Sequence, residues 1–169
     1  MSDRAGVTAG PAGESASAAR RDDLGVLRDL IRDQHRFFVD WYKGGEPGQD
    51  GFESFERDLG AGFRLITPDG RTLDRGDVIA FVRANRGIDD GGFDIEIADV
   101  AIRARGADLV VVAYTEIQIR NNKKTTRLSS AVFRSAPGQS PGFIWEHLHE
   151  TWADQKKTEH ENTKNRGNK

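Results

Sequence analysis

The stretch Phe143-Ile-Trp-Glu-His-Leu-His-Glu-Thr-Trp152 decides both the fold and the candidate site of this chain. As a β-strand, it would direct alternate side chains to opposite faces of a sheet. One face would grade from large rings into imidazoles and a hydroxyl, and it comprises Phe143, Trp145, His147, His149 and Thr151. The intervening residues would form the other face: Ile144, Glu146, Leu148, Glu150 and Trp152. We interpret the first face as the floor of a half-polar pocket.

Composition limits the classes of protein that this chain can belong to. A length of 169 residues fits one domain with a core of its own. The net charge of -2, with both signs interspersed, argues against nucleic acid as a partner. The absence of cysteine excludes disulfides and cysteine-based zinc sites.

Hydropathy argues against a membrane partner. No apolar run approaches the roughly 18 residues that a membrane-spanning helix needs. The N-terminal residues 1–11 lack the apolar core of a signal peptide. We therefore expect a cytoplasmic protein, an expectation that the lack of cysteine also favours.

The chain divides into three parts. Residues 1–19 are mostly Gly, Ala and Ser, and residues 154–169 are entirely polar or charged apart from Gly167. Neither segment can bury enough apolar surface to offset its loss of chain entropy, so we predict a disordered tail at each end. The folded domain is expected to span residues 20–153.

Three helices are predicted in the first half of this domain. The first begins near Arg20 and ends at the Gly44-Gly45 pair, with apolar residues at helical spacing. The second covers residues 51–59 and is broken by Gly60 and Gly62, before a short strand at residues 63–67. The third follows the turn at residues 68–71, with Asp74 as its cap and Asp77 at capping-box spacing.

Alternating patterns then predict four longer strands over residues 93–105, 109–120, 125–135 and 143–152, separated by turn residues. Helices grouped before a strand meander indicate an α+β fold. We expect three N-terminal helices to pack on a curved, mostly antiparallel sheet and to enclose a cavity in a cone.

This order, the segment Pro68-Asp-Gly-Arg-Thr-Leu73 and the ending Trp145–Trp152 together resemble the NTF2-like superfamily, and within it the SnoaL-like and DUF4440 branch. The resemblance covers roughly residues 20–153. The segment Glu146-His-Leu-His149 is also similar to the last strand of the association (hub) domain of calcium/calmodulin-dependent kinase II. The resemblance implies a cone with an internal pocket and a dimer through the outer sheet face, but no single activity, because this fold supports many functions.

His147 and His149 are the first candidate catalytic residues. Residues two apart on a strand lie about 6.6 Å apart along it, so both imidazoles could face one ligand. Histidine titrates near neutrality and suits proton transfer. The alternatives are a structural pair bonded to pocket walls or water, and a metal site completed by Glu116 as a third ligand; we predict no metal and no cofactor.

Glu116 is the third candidate, on a strand face shared with Tyr114. If that face lines the pocket, burial would raise the pKa of Glu116 and make it a base; otherwise it is a solvated or arginine-paired carboxylate. Tyr114 either donates to a ligand carbonyl or oxyanion or only packs.

Four further residues complete the sequence interpretation. Arg127 either holds a ligand carboxylate in bidentate fashion or lies at the surface. Trp41 and Tyr42 either fill the gap between helix and sheet or join Trp145 in contacting a ligand. His35 is expected on the helix surface.

One apolar row suggests an interface. It lies on the strand that carries Glu116, on the opposite face, and comprises Leu109, Val111, Ala113, Ile117 and Ile119. Exposed, it would support a homodimer through the sheet face; the alternative is burial beneath the helices.

Three functions remain open. The first is a binding domain for a small apolar or weakly polar molecule. The second is an isomerase, cyclase or dehydratase that uses a pocket His or Glu for proton transfer. The third is a dimerisation or assembly module.

Overall fold

The computed structural model describes residues 12–45, 51–89 and 92–153, with side chains described from Asp23 onward. The elements are α1 (Ala12–Tyr42), α2 (Gly51–Asp58), β1 (Leu59–Ile66), β2 (Thr72–Asp74), α3 (Arg75–Ala84), β3 (Phe93–Arg105), β4 (Leu109–Arg120), β5 (Lys123–Ser135) and β6 (Phe143–Trp152). Helix α1 begins earlier than the predicted start near Arg20, because alanines with high helix propensity extend it toward its N-terminus. The rest of the predicted N-terminal tail and the C-terminal tail lie outside the described residues.

The sheet has six strands in the order β2-β1-β6-β5-β4-β3. β1 pairs with β6 in parallel, and every other neighbouring pair is antiparallel. β1 begins at Leu59, where the sequence predicted the end of a helix, so Gly60 and Gly62 lie inside a strand instead of in a break. The strand accommodates both glycines because its pairing with β6 is irregular between Leu59 and Arg64.

The predicted α+β class is confirmed, with three helices and a mixed open sheet among the described residues. Helices α1 and α2 precede the first strand, whereas α3 follows the β1–β2 hairpin. The predicted capping box of α3 is present: Asp74 accepts a hydrogen bond from the Asp77 backbone N–H, and the Asp77 carboxylate accepts one from the Asp74 backbone N–H.

An aromatic cluster joins the helices, and it settles the position of Trp41. The Trp41 indole stacks on Phe37, packs against Phe52 and donates a hydrogen bond to the Val82 carbonyl at 2.7 Å. The rings of Trp41 are therefore packed, and its one polar atom is hydrogen-bonded, inside the protein. Of the two alternatives for Trp41, the structure supports packing, because the side chain closes the junction of α1, α2 and α3 and does not line the cavity.

A β-bulge in β6 changes which side chains face the helices. Phe133 of β5 pairs with Trp145, but the preceding Val132 pairs with His147, so Glu146 is an extra residue on β6. The Glu146 carboxylate accepts a hydrogen bond from Arg134 and lies against Gly60. The inward face therefore continues after the bulge through the even-numbered residues Leu148, Glu150 and Trp152.

The apolar row of β4 lies on the outer face of the sheet. Along β4, residues on the inner face are buried from Val110 to Glu116, whereas those of the row are half-buried or exposed. Leu109 and Ile119 are the most exposed members, and Leu128 of β5 adds a further exposed side chain. The alternative of burial beneath the helices is excluded.

Candidate functional site

A cavity of about 640 Å³ lies between the helices and the inner face of the sheet. Its walls are mostly apolar and come from both layers, with Phe38 of α1, Val78 of α3 and Leu65 of β1 among them. Polar side chains are concentrated where β4, β5 and β6 meet α1. The size and the mainly apolar walls with few polar groups are typical of small-molecule sites.

A buried pair, His35 and Glu116, anchors the polar part of the cavity. His35 Nδ1 lies 2.7 Å from the Ile31 carbonyl oxygen, which can only accept, so Nδ1 carries a proton. His35 Nε2 lies 3.3 Å from Glu116 Oε2. Burial alone would lower the pKa of His35, but the hydrogen bond and charge of Glu116 raise it above its usual value. The contact with Glu116 therefore favours the protonated form of His35.

Glu116 is held ionised by three neighbours. Burial would raise its pKa, but His35, Arg127 and Gln118 together outweigh that effect and lower the pKa to about 2. Gln118 Nε2 donates to Glu116 Oε1 at 2.6 Å, and Gln118 Oε1 accepts from Arg127 Nη2 at 3.1 Å. Of the two alternatives for Glu116, the arginine-paired carboxylate is therefore the one that the structure shows, and the raised pKa is wrong.

Arg127 lies between two carboxylates. Its Nη1 is 3.6 Å from Glu116 Oε1 and 3.5 Å from Glu150 Oε2. Glu150 is only 6% exposed. Burial and the nearby negative charge of Glu116 raise the pKa of Glu150 to about 7, despite the opposing effect of Arg127. Glu150 is therefore a cavity carboxyl group poised to exchange a proton near neutrality.

Three hydrogen-bond donors on the cavity wall have no partner within the described part of the chain. They are Gln34 Nε2, Arg127 Nε and Trp145 Nε1. Gln34 is 7% exposed and Trp145 is 3% exposed, so bulk water does not satisfy them. Buried donors without partners are rare in folded proteins, and these three belong to side chains that line the cavity.

The end of β6 forms one side of the cavity mouth. Trp152 Nε1 donates to Asp69 Oδ1 at 2.9 Å, which ties β6 to the turn between β1 and β2. The Arg127 guanidinium lies over the Trp152 ring, 5.2 Å from its centre. The mouth is thus closed on one side by an ordered indole.

The structure separates the sequence-predicted residues into two groups. Glu116, Tyr42, Arg127 and Trp145 line the cavity, so their contact with a ligand stays a prediction with the right geometry. Tyr114 is buried behind the wall, where its ring packs edge-on against His35, and burial raises its pKa well above the usual value.

His147 and His149 do not line the cavity. The bulge at Glu146 turns both side chains to the outer face, where His147 is half-buried and His149 is exposed. The prediction that they share a face with Trp145 is wrong, since it assumed unbroken alternation along β6.

Two residues of the site escaped the sequence interpretation. His35 was expected at the surface, but it is 4% exposed. It lies one helical turn from Ile31 and Phe38 on the apolar stripe of α1, a signal that was available. Glu150 was assigned to the outer face because a single extra residue in a strand leaves no clear mark in the sequence.

Within the described ranges, no group of three or more His, Asp or Glu residues could hold a metal ion. No helix in that part of the chain is long and apolar enough to cross a membrane.

Comparisons with known proteins place the fold. No protein-family model matches the chain, and no curated protein matches it. The solved structure of an NTF2-like protein of unknown function from Pseudomonas aeruginosa is 28% identical, with a TM-score of 0.68, over 76% of this chain and 99% of that one. The CaMKII hub of S. rosetta is 18% identical, with a TM-score of 0.58, over 87% of this chain and all of that one.

A third structure, an NTF2-like protein of unknown function in nutrient uptake from Rhodospirillum rubrum, is 16% identical with a TM-score of 0.53, over 75% of this chain and 98% of that one. The chain therefore has the NTF2-like fold, as its resemblance implied, and it shares that fold with a CaMKII hub domain.

Proposed function

We propose that this chain is a small-molecule-binding NTF2-like domain of the SnoaL-like or DUF4440 branch, with its ligand in the cavity between helices and sheet. The branch is proposed on Pro68–Leu73 and on the ending Trp145–Trp152. The supporting observation for binding is a mostly apolar cavity of about 640 Å³ whose wall carries buried donors without partners. A small apolar or weakly polar molecule fits a cavity of this size with mainly apolar walls.

The test fills the cavity from one strand position. Leu148 lines the cavity, whereas the next residue, His149, is exposed on the outer face. Leu148→Trp and His149→Trp therefore add the same ring on opposite sides of the sheet. The probe is the neutral dye N-phenyl-1-naphthylamine, titrated by its own fluorescence.

We expect Leu148→Trp to weaken dye binding at least about tenfold, because the added ring occupies cavity volume, and His149→Trp to leave it unchanged. Circular dichroism and thermal unfolding check that both variants fold. Equal affinities in the two variants and the native chain would place the dye elsewhere and contradict the proposal.

A proton-transfer enzyme is the second candidate, and Glu150 favours it. This buried carboxyl group lines the cavity and has a pKa of about 7, the range in which a general base is most effective at neutral pH. Glu116, held ionised with a pKa of about 2, is a much weaker base. The Glu150 carboxylate would take a proton from the carbon next to a ligand carbonyl, leaving an enolate and a protonated Glu150.

Deuterium exchange tests this chemistry without a known substrate. With 1-indanone in D₂O, NMR would follow protein-dependent loss of the proton next to the carbonyl. We expect Glu150→Gln to abolish the exchange and Glu96→Gln, which alters an exposed carboxylate on β3, to preserve it. Exchange that survives in Glu150→Gln would remove Glu150 as the base.

An assembly role is the third candidate, as a homodimer formed through the outer sheet face. It is supported by the half-exposed apolar row of β4 together with the exposed Leu128. The role is compatible with a ligand in the cavity, because the two surfaces lie on opposite sides of the sheet. A cytoplasmic location remains a prediction from composition.

A further inference from the structure

A second groove opens beside the cavity. It has a volume of about 660 Å³ and lies between the end of α3 and the turn that joins β4 to β5. The groove and the cavity share five lining residues: Tyr42, Phe81, Gln118, Arg127 and Trp152. The two spaces are therefore adjacent, with the Arg127–Trp152 contact between them, and a molecule that reaches past this contact would occupy both.

The groove is electropositive. Arg120, Lys123 and Arg127 line it, and no Asp or Glu is among its described lining residues. Asp89 lies 3.4 Å from Arg120 Nε, and Glu116 and Glu150 lie 3.6 and 3.5 Å from Arg127 Nη1. None of these three carboxylates lines the groove. Because no described lining residue is a carboxylate, Arg120 and Lys123 favour an anionic group in the groove.

The cavity carries charges of both signs. Four carboxyl groups line it, those of Glu116, Glu150, Asp69 and Asp77, together with Arg71, Arg127 and His35. Arg127 already contacts the first two of these carboxylates. An anionic group placed in the cavity would face those carboxylates in a poorly hydrated space, whereas in the groove it would not.

Exposed apolar side chains border the groove. Phe81 is 59% exposed, Ile88 is 60% exposed and Trp152 is 43% exposed. Two of them, Phe81 and Trp152, also line the cavity, so the apolar surface is continuous between the two spaces. Such a surface would contact the apolar part of a ligand where it leaves the cavity.

We propose that the cavity and the groove together bind one free amphipathic monoanion. Its apolar body lies in the cavity, and its single acidic group, a carboxylate or sulfonate, lies in the groove beside Arg120 and Lys123. The proposal rests on the cavity being a small-molecule site, and it adds the charge of the ligand and the position of that charge.

Two dyes with the same body test the charge. N-phenyl-1-naphthylamine is neutral, and 1-anilinonaphthalene-8-sulfonate carries one sulfonate on the same ring system. Both are titrated against the full chain at low salt and again at about 0.5 M NaCl, where exposed charges are screened. We expect the sulfonate dye to bind about three- to tenfold more tightly at low salt, and the difference to shrink at high salt.

Lys123 and Lys124 provide matched variants. Both are exposed residues at the start of β5, but their side chains point to opposite faces, and only Lys123 lines the groove. We expect Lys123→Gln to weaken binding of the sulfonate dye about three- to tenfold and to leave binding of the neutral dye unchanged. Lys124→Gln should alter neither. Arg120 also lies over the Phe93 ring and pairs with Asp89, so its substitution can affect stability as well as binding. Dye binding by Arg120→Gln is therefore measured together with its thermal unfolding.

The outcomes separate the two proposals. Neutral-dye binding without any preference for the sulfonate dye, or an equal effect of Lys123→Gln and Lys124→Gln, would overturn the anion site and leave the cavity site intact. Failure of both dyes to bind would overturn both proposals. A sulfonate preference lost only in Lys123→Gln would support the groove as the anion subsite.

Discussion

At the scale of single residues, two carboxylates beside one guanidinium behave differently. Glu116 and Glu150 lie at nearly the same distance from Arg127, yet the pKa is about 2 for the first and about 7 for the second. The difference arises because the His35 imidazolium contacts Glu116 directly. Glu150 instead has the negative charge of Glu116 beside it. The increase that burial causes in the pKa of Glu150 is therefore offset less. Proton exchange near neutral pH is thereby assigned to Glu150.

This assignment predicts how stability depends on pH. Between the ordinary pKa of 4.5 and the folded value of about 7, the folded chain holds a proton on Glu150 that the unfolded chain has released. The free energy of unfolding should therefore fall as pH rises through this window, by up to about 3 kcal/mol. Glu150→Gln should lack this decline, as measured by urea unfolding across the same window.

The exposed-carboxylate variant Glu96→Gln serves as the control and should retain the native pH dependence. His35, whose pKa is raised from 6.5, adds its own decline above that pH in all three proteins, so the difference between them is the informative quantity. An unchanged slope in Glu150→Gln would show that Glu150 does not bind the extra proton.

The sequence predicted some of these residues and not others. Arg127 and Glu116 were anticipated because β4 and β5 alternate without interruption in this region, so counting by two gives their face. His35 was missed although helical spacing places it on the apolar stripe of α1, because a histidine was expected at the surface and its contact with Glu116 was not foreseen. The partner of the buried His35, Glu116, lies 81 residues away in the sequence, so local patterns do not reveal the pair.

At the scale of elements, the bulge of β6 has the largest effect. It gives the strand two consecutive inward faces, first with Phe143 and Trp145 and then with Leu148 and Glu150. The carboxylate of the bulged residue Glu146 accepts a hydrogen bond from Arg134 of β5 and occupies the space beside Gly60 of β1. A glycine at position 60 leaves room for that carboxylate.

Gly60 and Gly62 offer a direct test of this support. A Cβ at Gly60 would lie 2.7 Å from Glu146 Oε2, whereas nothing lies within 4 Å of a Cβ at Gly62. We expect Gly60→Ala to displace Glu146 and lower the free energy of unfolding by about 1 kcal/mol, as measured in urea. Gly62→Ala should be neutral or slightly stabilising.

The same substitution in a second background identifies the cause. In Glu146→Ala the obstructing carboxylate is absent, so Gly60→Ala should no longer be destabilising. A loss that persists in this background would point to the backbone of β1 and away from the bulge.

Element types were more predictable than element limits. The capping box of α3 and the glycine-rich and proline-rich loop between β5 and β6 are local signals, and both were identified correctly. The start of β1 was not, because Leu59-Gly60-Ala61-Gly62 has weak strand propensity and is held in the sheet by pairing with distant β6.

At the scale of the whole molecule, the sheet separates two surfaces. Its inner face and the helices enclose the cavity, and its outer face carries the apolar row of β4. Because the row and the cavity wall alternate along the same strand, a substitution on the row leaves the cavity-facing side chains in place. Assembly and ligand binding can therefore be altered independently.

Ile117→Lys tests the dimer. Ile117 is a half-buried member of the row, and a lysine there would place like charges at a two-fold interface. We expect light scattering to give twice 18.7 kDa for the native chain and 18.7 kDa for the variant, with binding of the neutral dye retained. Asp29→Lys on the exposed side of α1 should stay dimeric. A native chain that is already monomeric would contradict the interface.

The extra residue in β6 sets the phase of everything that follows it in this strand. Removal of the single codon for Glu146 would delete the bulge but leave the later pairings of the strand unchanged, so the titrating acid would stay in the chamber. Regular pairing that retained Glu146 would instead turn both imidazoles inward and expel that acid. Related chains that are one residue shorter at this position would therefore keep the same interior with an uninterrupted strand.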